Sequence, residues 1–219
     1  MKAVLITGSS LGIGRETAFA FAREKFAVVI TYCSDKKEAE LAGKKCLELG
    51  APDVLVLQLD VRDDKSIKQV VKAVVKKFKH ISILINNAGV IRWKPFREQS
   101  VDDIESQVNV NLIGLMKMTL EALPHVKDMI INIASGAGKT AYAELVPYCA
   151  TKFGVRGFTQ GLAQEIDIPV IAVNPGSTAT RMTNFKGVPP EKVAKVILDA
   201  ALGKIRVKSG GDVDVYDYV

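Results

Sequence analysis

The sequence predicts an α/β fold in which helices cover both faces of a doubly wound parallel β-sheet. Short β-branched apolar segments alternate with longer segments of helical periodicity, and the connections between them are short. Segments such as Val54–Leu57 and Met129–Ile133 are almost entirely apolar, as is typical of parallel strands covered on both faces. No repeat, low-complexity tract or linker interrupts the chain, so we expect one domain over residues 1–219.

Seven segments predict strands, because each is short, rich in valine or isoleucine, and bounded by small or polar residues. The first runs into a glycine-rich turn, and the last alternates aspartate with valine before it reaches a tyrosine. In chain order the predicted strands are Ala3–Ile6, Ala27–Tyr32, Asp53–Leu59, Ile83–Asn86, Met129–Ile133, Pro169–Val173 and Asp212–Tyr216.

Six segments predict helices by apolar residues at spacings of three and four, at about 12–25, 36–49, 64–79, 101–123, 148–166 and 190–202. In the predicted helix at 64–79, lysines from Lys65 to Lys79 form one face, and apolar residues from Ile67 to Phe78 form the other. This solvated lysine face accounts for much of the net charge of +6, so we expect no nucleic-acid partner. The last helix begins at a proline pair, which suits the first turn of a helix.

The composition excludes several functional classes. No segment approaches the roughly 18 consecutive apolar residues that a membrane helix needs, and no signal peptide precedes the first strand, so we expect no membrane association. Three cysteines without CxxC spacing argue against a disulfide framework or a zinc site, and only two histidines are present. We therefore expect a cytoplasmic protein without a bound metal.

A glycine-rich turn links the first strand to the first helix. The segment Thr7–Gly14 reads Thr-Gly-Ser-Ser-Leu-Gly-Ile-Gly, so glycines allow the backbone to turn tightly and to approach a ligand closely. A helix N-terminus that follows such a turn offers free N–H groups to a pyrophosphate. The turn therefore predicts a dinucleotide site, although a purely structural turn would also need glycines.

The end of the second strand indicates which dinucleotide binds. Enzymes that choose NAD usually carry an acidic residue there, which binds the ribose 2′-hydroxyl and repels a 2′-phosphate. Here Tyr32, Cys33 and Ser34 precede the first acid, Asp35, and two lysines follow. We therefore predict that NADP(H) is preferred over NAD(H), although the lysines could equally be ordinary residues of a helix start.

Tyr148 and Lys152 lie four residues apart, so they share one face of a predicted helix. A nearby cation stabilises a phenolate, and a tyrosine tuned in this way can exchange a proton with a carbonyl or an alcohol oxygen. Ser135 follows a predicted strand, and Asn111 lies on a mostly apolar helix where its amide must find partners. Together these four residues form a candidate catalytic group.

These motifs follow one another in a characteristic order along the chain. In that order the sequence resembles the short-chain dehydrogenase/reductase family of Rossmann-like, tyrosine-dependent oxidoreductases. The resemblance covers Val4 to about Met182. Its matching features are Thr7–Gly14, Asp60, Asn86–Gly89, Asn111, Ser135, Tyr148 with Lys152, and Pro175 with Gly176.

The resemblance implies a role for each matching residue. Tyr148 would be the acid–base, and Lys152 would lower its pKa and bind the nicotinamide ribose. Ser135 would orient the carbonyl, and Asn111 would hold a water that links the lysine to solvent. The residues implied to bind the cofactor are Gly8, Ser10, Leu11, Gly12, Ile13, Gly14, Tyr32, Ser34, Asp60, Val61, Asn87, Ala88, Gly89, Tyr148, Lys152, Pro175, Gly176, Thr178 and Thr180.

The implied activity is the NAD(P)(H)-dependent interconversion of a carbonyl and a secondary alcohol by hydride transfer, with a small-molecule substrate. Helices 101–123 and 148–166 pair between subunits in this family, which implies a homodimer or homotetramer. The alternatives are a 3-oxoacyl-thioester reductase of lipid synthesis and a non-catalytic dinucleotide-binding sensor on the same fold.

The chain departs from the family pattern in length. Members of this branch run to about 250 residues, so this chain is shorter by roughly 30. One deletion makes the join at Gln164–Pro169 very tight, and another leaves only Ser177–Val188 where helices normally cover the substrate. We therefore predict a shortened substrate lid.

Overall fold

Seven parallel strands form one sheet in the order β3-β2-β1-β4-β5-β6-β7 in the computed structural model, which describes residues 1–219. The strands are β1 (Ala3–Ile6), β2 (Ala27–Tyr32), β3 (Val54–Gln58), β4 (Ile81–Asn86), β5 (Val126–Ile133), β6 (Val170–Asn174) and β7 (Asp212–Asp214). The helices are α1 (Gly12–Arg23), α2 (Lys36–Glu48), α3 (Asp64–Phe78), α4 (Val101–Val108), α5 (Gly114–Ala122), α6 (Val146–Leu162) and α7 (Pro190–Ala201). The predicted doubly wound sheet is confirmed.

The sheet is covered on both sides, as its apolar strands require. On one face α1, α2 and α7 enclose a core built around Phe21, Ile30 and Ile197. On the other face α3 and α5 enclose a second core that contains Ile67 and Met118. The strand order reverses between β1 and β4, so their carboxyl ends diverge into a crevice where ligands bind in folds of this type.

Two predicted elements are different in the structure. The helix predicted at 101–123 is divided into α4 and α5 by a π-helical turn at Asn109–Ile113. The last strand ends at Asp214 rather than Tyr216, because the chain turns there into a short 3-10 helix at Val215–Asp217.

A ladder of buried polar side chains lies beneath the crevice. Asn86 of β4 donates to Asn132 of β5 and to Thr119 of α5, each at 2.9 Å, and Asn132 donates to Thr159 of α6 at 2.9 Å. Buried amides are stable only when they are hydrogen-bonded. The ladder therefore fixes α5 and α6 against the two strands that end at the site.

Candidate active site

A cleft of about 1330 Å³ extends along the carboxyl edge of the sheet. It runs from the glycine-rich turn after β1, past the ends of β3 and β4, to Tyr148 on α6. The segment after β6, from Pro175 to Phe185, forms its outer wall. The predicted site residues are therefore gathered in one continuous cleft, with three exceptions that are described below.

The glycine-rich turn has the backbone shape that its sequence predicts. Gly8 and Gly12 have φ angles of 64° and 56°, in the left-handed region that favours glycine. A Cβ on Gly8 would lie 3.0 Å from the Cα of Ala88, so the turn packs directly on the segment after β4. No side chain caps the N-terminus of α1, although α2 and α3 are both capped by aspartates. The first N–H groups of α1 are therefore open to an anionic ligand.

Asn87 connects the two strands at the point where the sheet reverses. Its side-chain amide donates to the carbonyl oxygens of Thr7 at 2.9 Å and Gly8 at 3.0 Å. In return the Thr7 hydroxyl accepts the backbone N–H groups of Asn87 and Ala88, each at 2.9 Å. Asn87 therefore supports the turn from below. Gly14 is not on the cleft surface, because a Cβ there would lie 2.5 Å from the Asn87 Nδ2 atom.

Tyr148 and Lys152 lie in the first two turns of α6 and are both buried, with 9% and 4% of their surfaces exposed. The Lys152 Nζ atom donates to the carbonyl oxygen of Ile133 at 2.8 Å and lies 5.6 Å from the centre of the Tyr148 ring. The sequence spacing therefore does bring the ammonium and the phenol together at the inner end of the cleft.

Burial determines the pKa values of this pair. It raises the pKa of Tyr148 to about 12, a rise that the nearby Ser135 hydroxyl partly opposes, and it lowers the pKa of Lys152 to about 8. Burial is the largest influence on the phenol, and the lowering of its pKa by Lys152 stays a prediction.

Asn111 lies in the π-helical turn, is 1% exposed and is behind Lys152 rather than on the cleft surface. Its side chain pairs with the backbone of Val90, accepting the N–H and donating to the carbonyl, both at 2.8 Å, and it also donates to Thr151 at 3.2 Å. The side chain therefore holds the segment after β4 against α6. Turns of this type occur frequently at functional sites.

Ser135 follows β5 and lies at the cleft surface beside Tyr148. Its hydroxyl accepts the N–H of Ala137 at 3.1 Å and donates to the carbonyl oxygen of Pro175 at 3.4 Å. A donor–acceptor distance of 3.4 Å is long for an O–H donor, so this proton can turn toward a ligand at little cost.

The other end of the cleft, near the end of β2, is polar and open. Ser34 lines it as predicted, but Tyr32 does not: the tyrosine packs against the core beneath α1 and α2, and the next residue, Cys33, faces the cleft. Side chains alternate along a strand, which explains the exchange. Asp60 and Val61 also line this end, and the Arg62 guanidinium, bound to the Asp60 carboxylate at 2.7 Å, holds the pKa of that carboxyl below its usual range.

Several cleft residues were not predicted. Trp93 and Tyr142 are more than half exposed and line the inner half of the cleft with Phe185. Tyr216, from the 3-10 turn that replaces the end of the predicted last strand, lies directly over Gly176. A Cβ at that glycine would be 2.0 Å from the Tyr216 ring. Only a three-dimensional arrangement reveals these positions, because none of them belongs to a sequence motif.

The segment Ser177–Val188, predicted to be a shortened lid, folds back on itself. Ala179 and Val188 share a backbone hydrogen bond of 2.9 Å, as do Val188 and Ser177. The side chain of Thr180 packs over the glycine-rich turn, 3.2 Å from where a Cβ of Gly12 would be. We call residues 177–188 the lid.

No group of three or more His, Cys, Asp or Glu side chains is placed to hold a metal ion. None of the helices combines the length and the apolar character needed to cross a membrane.

The fold and the cleft define a dinucleotide-binding α/β protein with a tyrosine–lysine pair at the inner end of its cleft. The sequence profile of the short chain dehydrogenases matches residues 2–188. The chain therefore belongs to the short-chain dehydrogenase/reductase family and is an oxidoreductase that interconverts a carbonyl and an alcohol.

Individual relatives are similar over most of their length. An NADP-dependent 3-hydroxy acid dehydrogenase of Schizosaccharomyces pombe is 34% identical over 223 residues, which cover 91% of this chain and 86% of that protein. A 3-oxoacyl-(acyl-carrier-protein) reductase of Staphylococcus aureus is 34% identical over 193 residues, covering 84% of this chain and 77% of that protein.

Solved structures agree with the fold. The crystal structure of a short chain dehydrogenase from Burkholderia cenocepacia in complex with NADP has a TM-score of 0.91 and 27% identity, covering 97% of this chain and 95% of that one. A dehydrogenase/reductase from Sinorhizobium meliloti has a TM-score of 0.90 and 27% identity, covering 97% and 92% of the two chains.

Proposed function

We propose that this chain is an NADP(H)-dependent carbonyl reductase or alcohol dehydrogenase in which Tyr148 is the acid–base and Lys152, Ser135 and Asn111 assist it. The observation that carries the proposal is the burial of Tyr148 and Lys152 side by side at the inner end of the dinucleotide cleft, next to the Ser135 hydroxyl. A phenol that is removed from water and held beside an ammonium is suited to proton transfer rather than to packing alone.

A nicotinamide dinucleotide fits the residues of this cleft. The glycine-rich turn and the uncapped N-terminus of α1 suit a pyrophosphate, and the length of the cleft separates that turn from Tyr148. When bound, the dinucleotide supplies or accepts the hydride at the carbonyl carbon. We expect the pyrophosphate end to be held by residues in the turn and by those packed against it, which are Gly8, Gly12, Ala88 and Thr180.

The protein residues supply the proton and the geometry. During reduction the Tyr148 hydroxyl donates its proton to the carbonyl oxygen, and the Ser135 hydroxyl donates a second hydrogen bond to the same oxygen. Lys152, fixed by the Ile133 carbonyl, places a positive charge near the phenolate that remains. Asn111 is a positioning residue, since its amide bonds hold Val90 and Thr151 rather than facing the cleft.

The preference for NADP(H) rests on the end of β2. The first two residues after β2 that line the cleft, Cys33 and Ser34, carry no carboxylate. The acids Asp35 and Glu38 come after them, and Asp35 lies 3.7 Å from the Arg181 guanidinium. The named S. pombe relative is NADP-dependent, and the B. cenocepacia neighbour was solved with NADP. These findings support NADP(H) over NAD(H).

The substrate end of the cleft is mostly apolar. Trp93, Tyr142, Phe185 and Tyr216 each expose half or more of their surface there. We infer a small-molecule substrate whose carbonyl carries apolar or aromatic groups, because exposed aromatic rings gain most by covering such groups. A 3-oxoacyl-thioester is the second candidate substrate, and the 34% identity to the S. aureus reductase supports it.

Helix α6 offers a surface for subunit association. Of the residues that could form an interface, Met118 is fully buried in the monomer core, whereas Phe153 on α6 is 44% exposed. No atom lies within 4 Å of a Cβ built at Gly157 or Gly161 of the same helix. A helix of a second subunit could therefore pack closely against this face of α6. We propose a cytoplasmic homodimer or homotetramer that uses α6.

The test is a substrate panel with both cofactors. We expect NADPH absorbance to fall with ketones, aldehydes or diones carrying apolar groups, and NADH to be used at least tenfold less efficiently. Faster reduction of 3-oxoacyl thioesters would select the second candidate. Cofactor binding without turnover of any carbonyl would instead indicate a non-catalytic sensor and contradict the proposal.

A further inference from the structure

The open end of the cleft contains an ion pair between distant parts of the chain. The guanidinium of Arg181, which begins the short 3-10 helix within the lid, lies 3.7 Å from the Asp35 carboxylate, which follows β2. Both side chains line the cleft. The lid therefore reaches across the cleft to the place where dinucleotide enzymes distinguish a ribose 2′-hydroxyl from a 2′-phosphate.

The three arginines at this end are paired to different degrees. Arg62 forms a two-pronged pair with Asp60, with hydrogen bonds of 2.7 and 2.9 Å, so its guanidinium is already occupied. Arg181 has only the 3.7 Å contact to Asp35. Arg15 is intermediate, 3.3 Å from Glu16 and 3.9 Å from Glu38.

Asp35 is a weak competitor for Arg181. Its carboxylate already accepts the backbone N–H of Glu38 at 3.3 Å, as the N-cap of α2. A phosphate dianion carries more charge than a carboxylate and offers three acceptor oxygens to a guanidinium fork. A 2′-phosphate would therefore replace the long Arg181–Asp35 contact with shorter hydrogen bonds.

We propose that Arg181 of the lid binds the 2′-phosphate of NADP(H), so that recognition of this phosphate fastens the lid over the cleft. The inference rests on the proposed preference for NADP(H). It assigns that preference chiefly to the lid, because the residues after β2 provide no cation that faces the cleft.

The lid also touches the opposite wall, which provides a reporter. The indole of Trp93, the only tryptophan in the chain, donates to the carbonyl oxygen of Met182 at 3.3 Å. Met182 is adjacent to Arg181, so a ligand that pulls on Arg181 moves the partner of Trp93. The fluorescence of this single tryptophan therefore reports on the lid independently of turnover.

The experiment compares adenosine 2′,5′-bisphosphate with adenosine 5′-monophosphate, which differ only in the 2′-phosphate and do not reach Tyr148. Affinities are measured by calorimetry and by Trp93 fluorescence for the wild type and for Arg181→Met, Arg15→Met and Arg97→Met. Arg97 is a matched control, because it is highly exposed and does not line the cleft.

We expect the wild type to bind the bisphosphate more tightly and to change its fluorescence only with that ligand. Arg181→Met should reduce this discrimination about tenfold, because it removes one exposed charge-assisted hydrogen-bond contact to the phosphate. It should also abolish the fluorescence change. Arg97→Met should behave as the wild type.

Two results would overturn the inference in distinguishable ways. If the wild type binds both ligands equally, the proposed NADP(H) preference itself is wrong. If the wild type discriminates but Arg181→Met discriminates equally well, or only Arg15→Met loses the discrimination, the preference stands and the assignment to the lid is wrong.

Discussion

The two ends of the cleft are built in opposite ways. At the inner end Tyr148 and Lys152 are 9% and 4% exposed and are surrounded by strand ends and the polar ladder. At the outer end the side chains of Arg181 and Asp35 are 64% and 36% exposed and meet at 3.7 Å. The inner end is buried and hydrogen-bonded, whereas the outer end holds an exposed ion pair that we propose is exchanged for a phosphate.

This difference follows from what each end has to do. Proton transfer requires groups whose pKa values are shifted by a poorly hydrated environment and whose positions are fixed. Recognition of a phosphate requires charges that can leave weak partners for a better one, and exposed ion pairs contribute little to stability, so exchanging them is inexpensive.

The largest effect is expected at the phenol. Tyr148→Phe removes the proton donor but keeps the ring that fills the inner end, so kcat should fall by about 10³-fold while the affinity for NADPH changes less than twofold. Steady-state kinetics and a fluorescence titration measure the two quantities. The control is Tyr142→Phe, which changes another tyrosine of the cleft. Turnover near the wild-type level in Tyr148→Phe would contradict the assignment of Tyr148 as the acid–base.

The pH dependence tests the burial of Lys152. Because burial lowers the pKa of Lys152 to about 8, the ammonium that supports the phenolate is lost above that pH. We expect kcat/KM for carbonyl reduction to fall about tenfold per pH unit above about pH 8. A profile that stays flat to pH 10 would show that the lysine keeps its ordinary pKa.

The same shift predicts a change in stability. The pKa of Lys152 is about 8 in the folded protein and 10.5 when the chain is unfolded, so between these values the unfolded state binds more protons. The free energy of unfolding should therefore rise from pH 8 to pH 10.5, by up to about 3 kcal/mol, and this gain is lost as the pH falls to 8. Urea unfolding of the wild type and Lys152→Met, which should lack this rise, measures it.

A smaller effect is expected where the glycine-rich turn meets its support. In Gly14→Ala the new Cβ would lie 2.5 Å from both the Asn87 Nδ2 atom and the Gly8 carbonyl oxygen, so the turn has to shift. We expect about tenfold weaker NADPH binding and a loss of about 2 kcal/mol in stability. Lys44→Ala, at an exposed position of α2 that does not line the cleft, should leave both nearly unchanged, and equal behaviour of the two variants would show that Asn87 does not fix the turn.

The smallest effect is expected at the substrate wall. Tyr216→Ala removes a ring that covers Gly176, so the KM for an apolar carbonyl substrate should rise about fivefold with little change in NADPH affinity. Tyr218→Ala changes a tyrosine of the same segment that does not line the cleft. If both variants have the same KM, Tyr216 does not contact the substrate.

The sequence predicted the tyrosine–lysine pair and the glycine-rich turn because the residues of each belong to a local pattern. Tyr148 and Lys152 share a helix face by their spacing, and Gly8 and Gly12 lie in one turn. The π-helical turn at Asn111 and the burial that raises the pKa of Tyr148 could not be predicted, since both depend on packing between segments distant in sequence.

The outer end was predicted less well for the same reason. Tyr32 was assigned to the cleft, but the alternation of side chains along β2 turns it to the core and exposes Cys33. Arg181 meets Asp35 only because a shortened lid folds back over the glycine-rich turn. Tyr216 reaches Gly176 only because the last strand ends two residues early.

The most direct test of the account is the fate of the hydride. With NADPH deuterated at C4 and a carbonyl compound from the panel, single-turnover reduction by the wild type should place one deuterium on the carbinol carbon of the product, from only one of the two C4 positions. Oxidation of the cofactor without deuterium in the alcohol would contradict the proposal that this cleft transfers hydride to a carbonyl carbon.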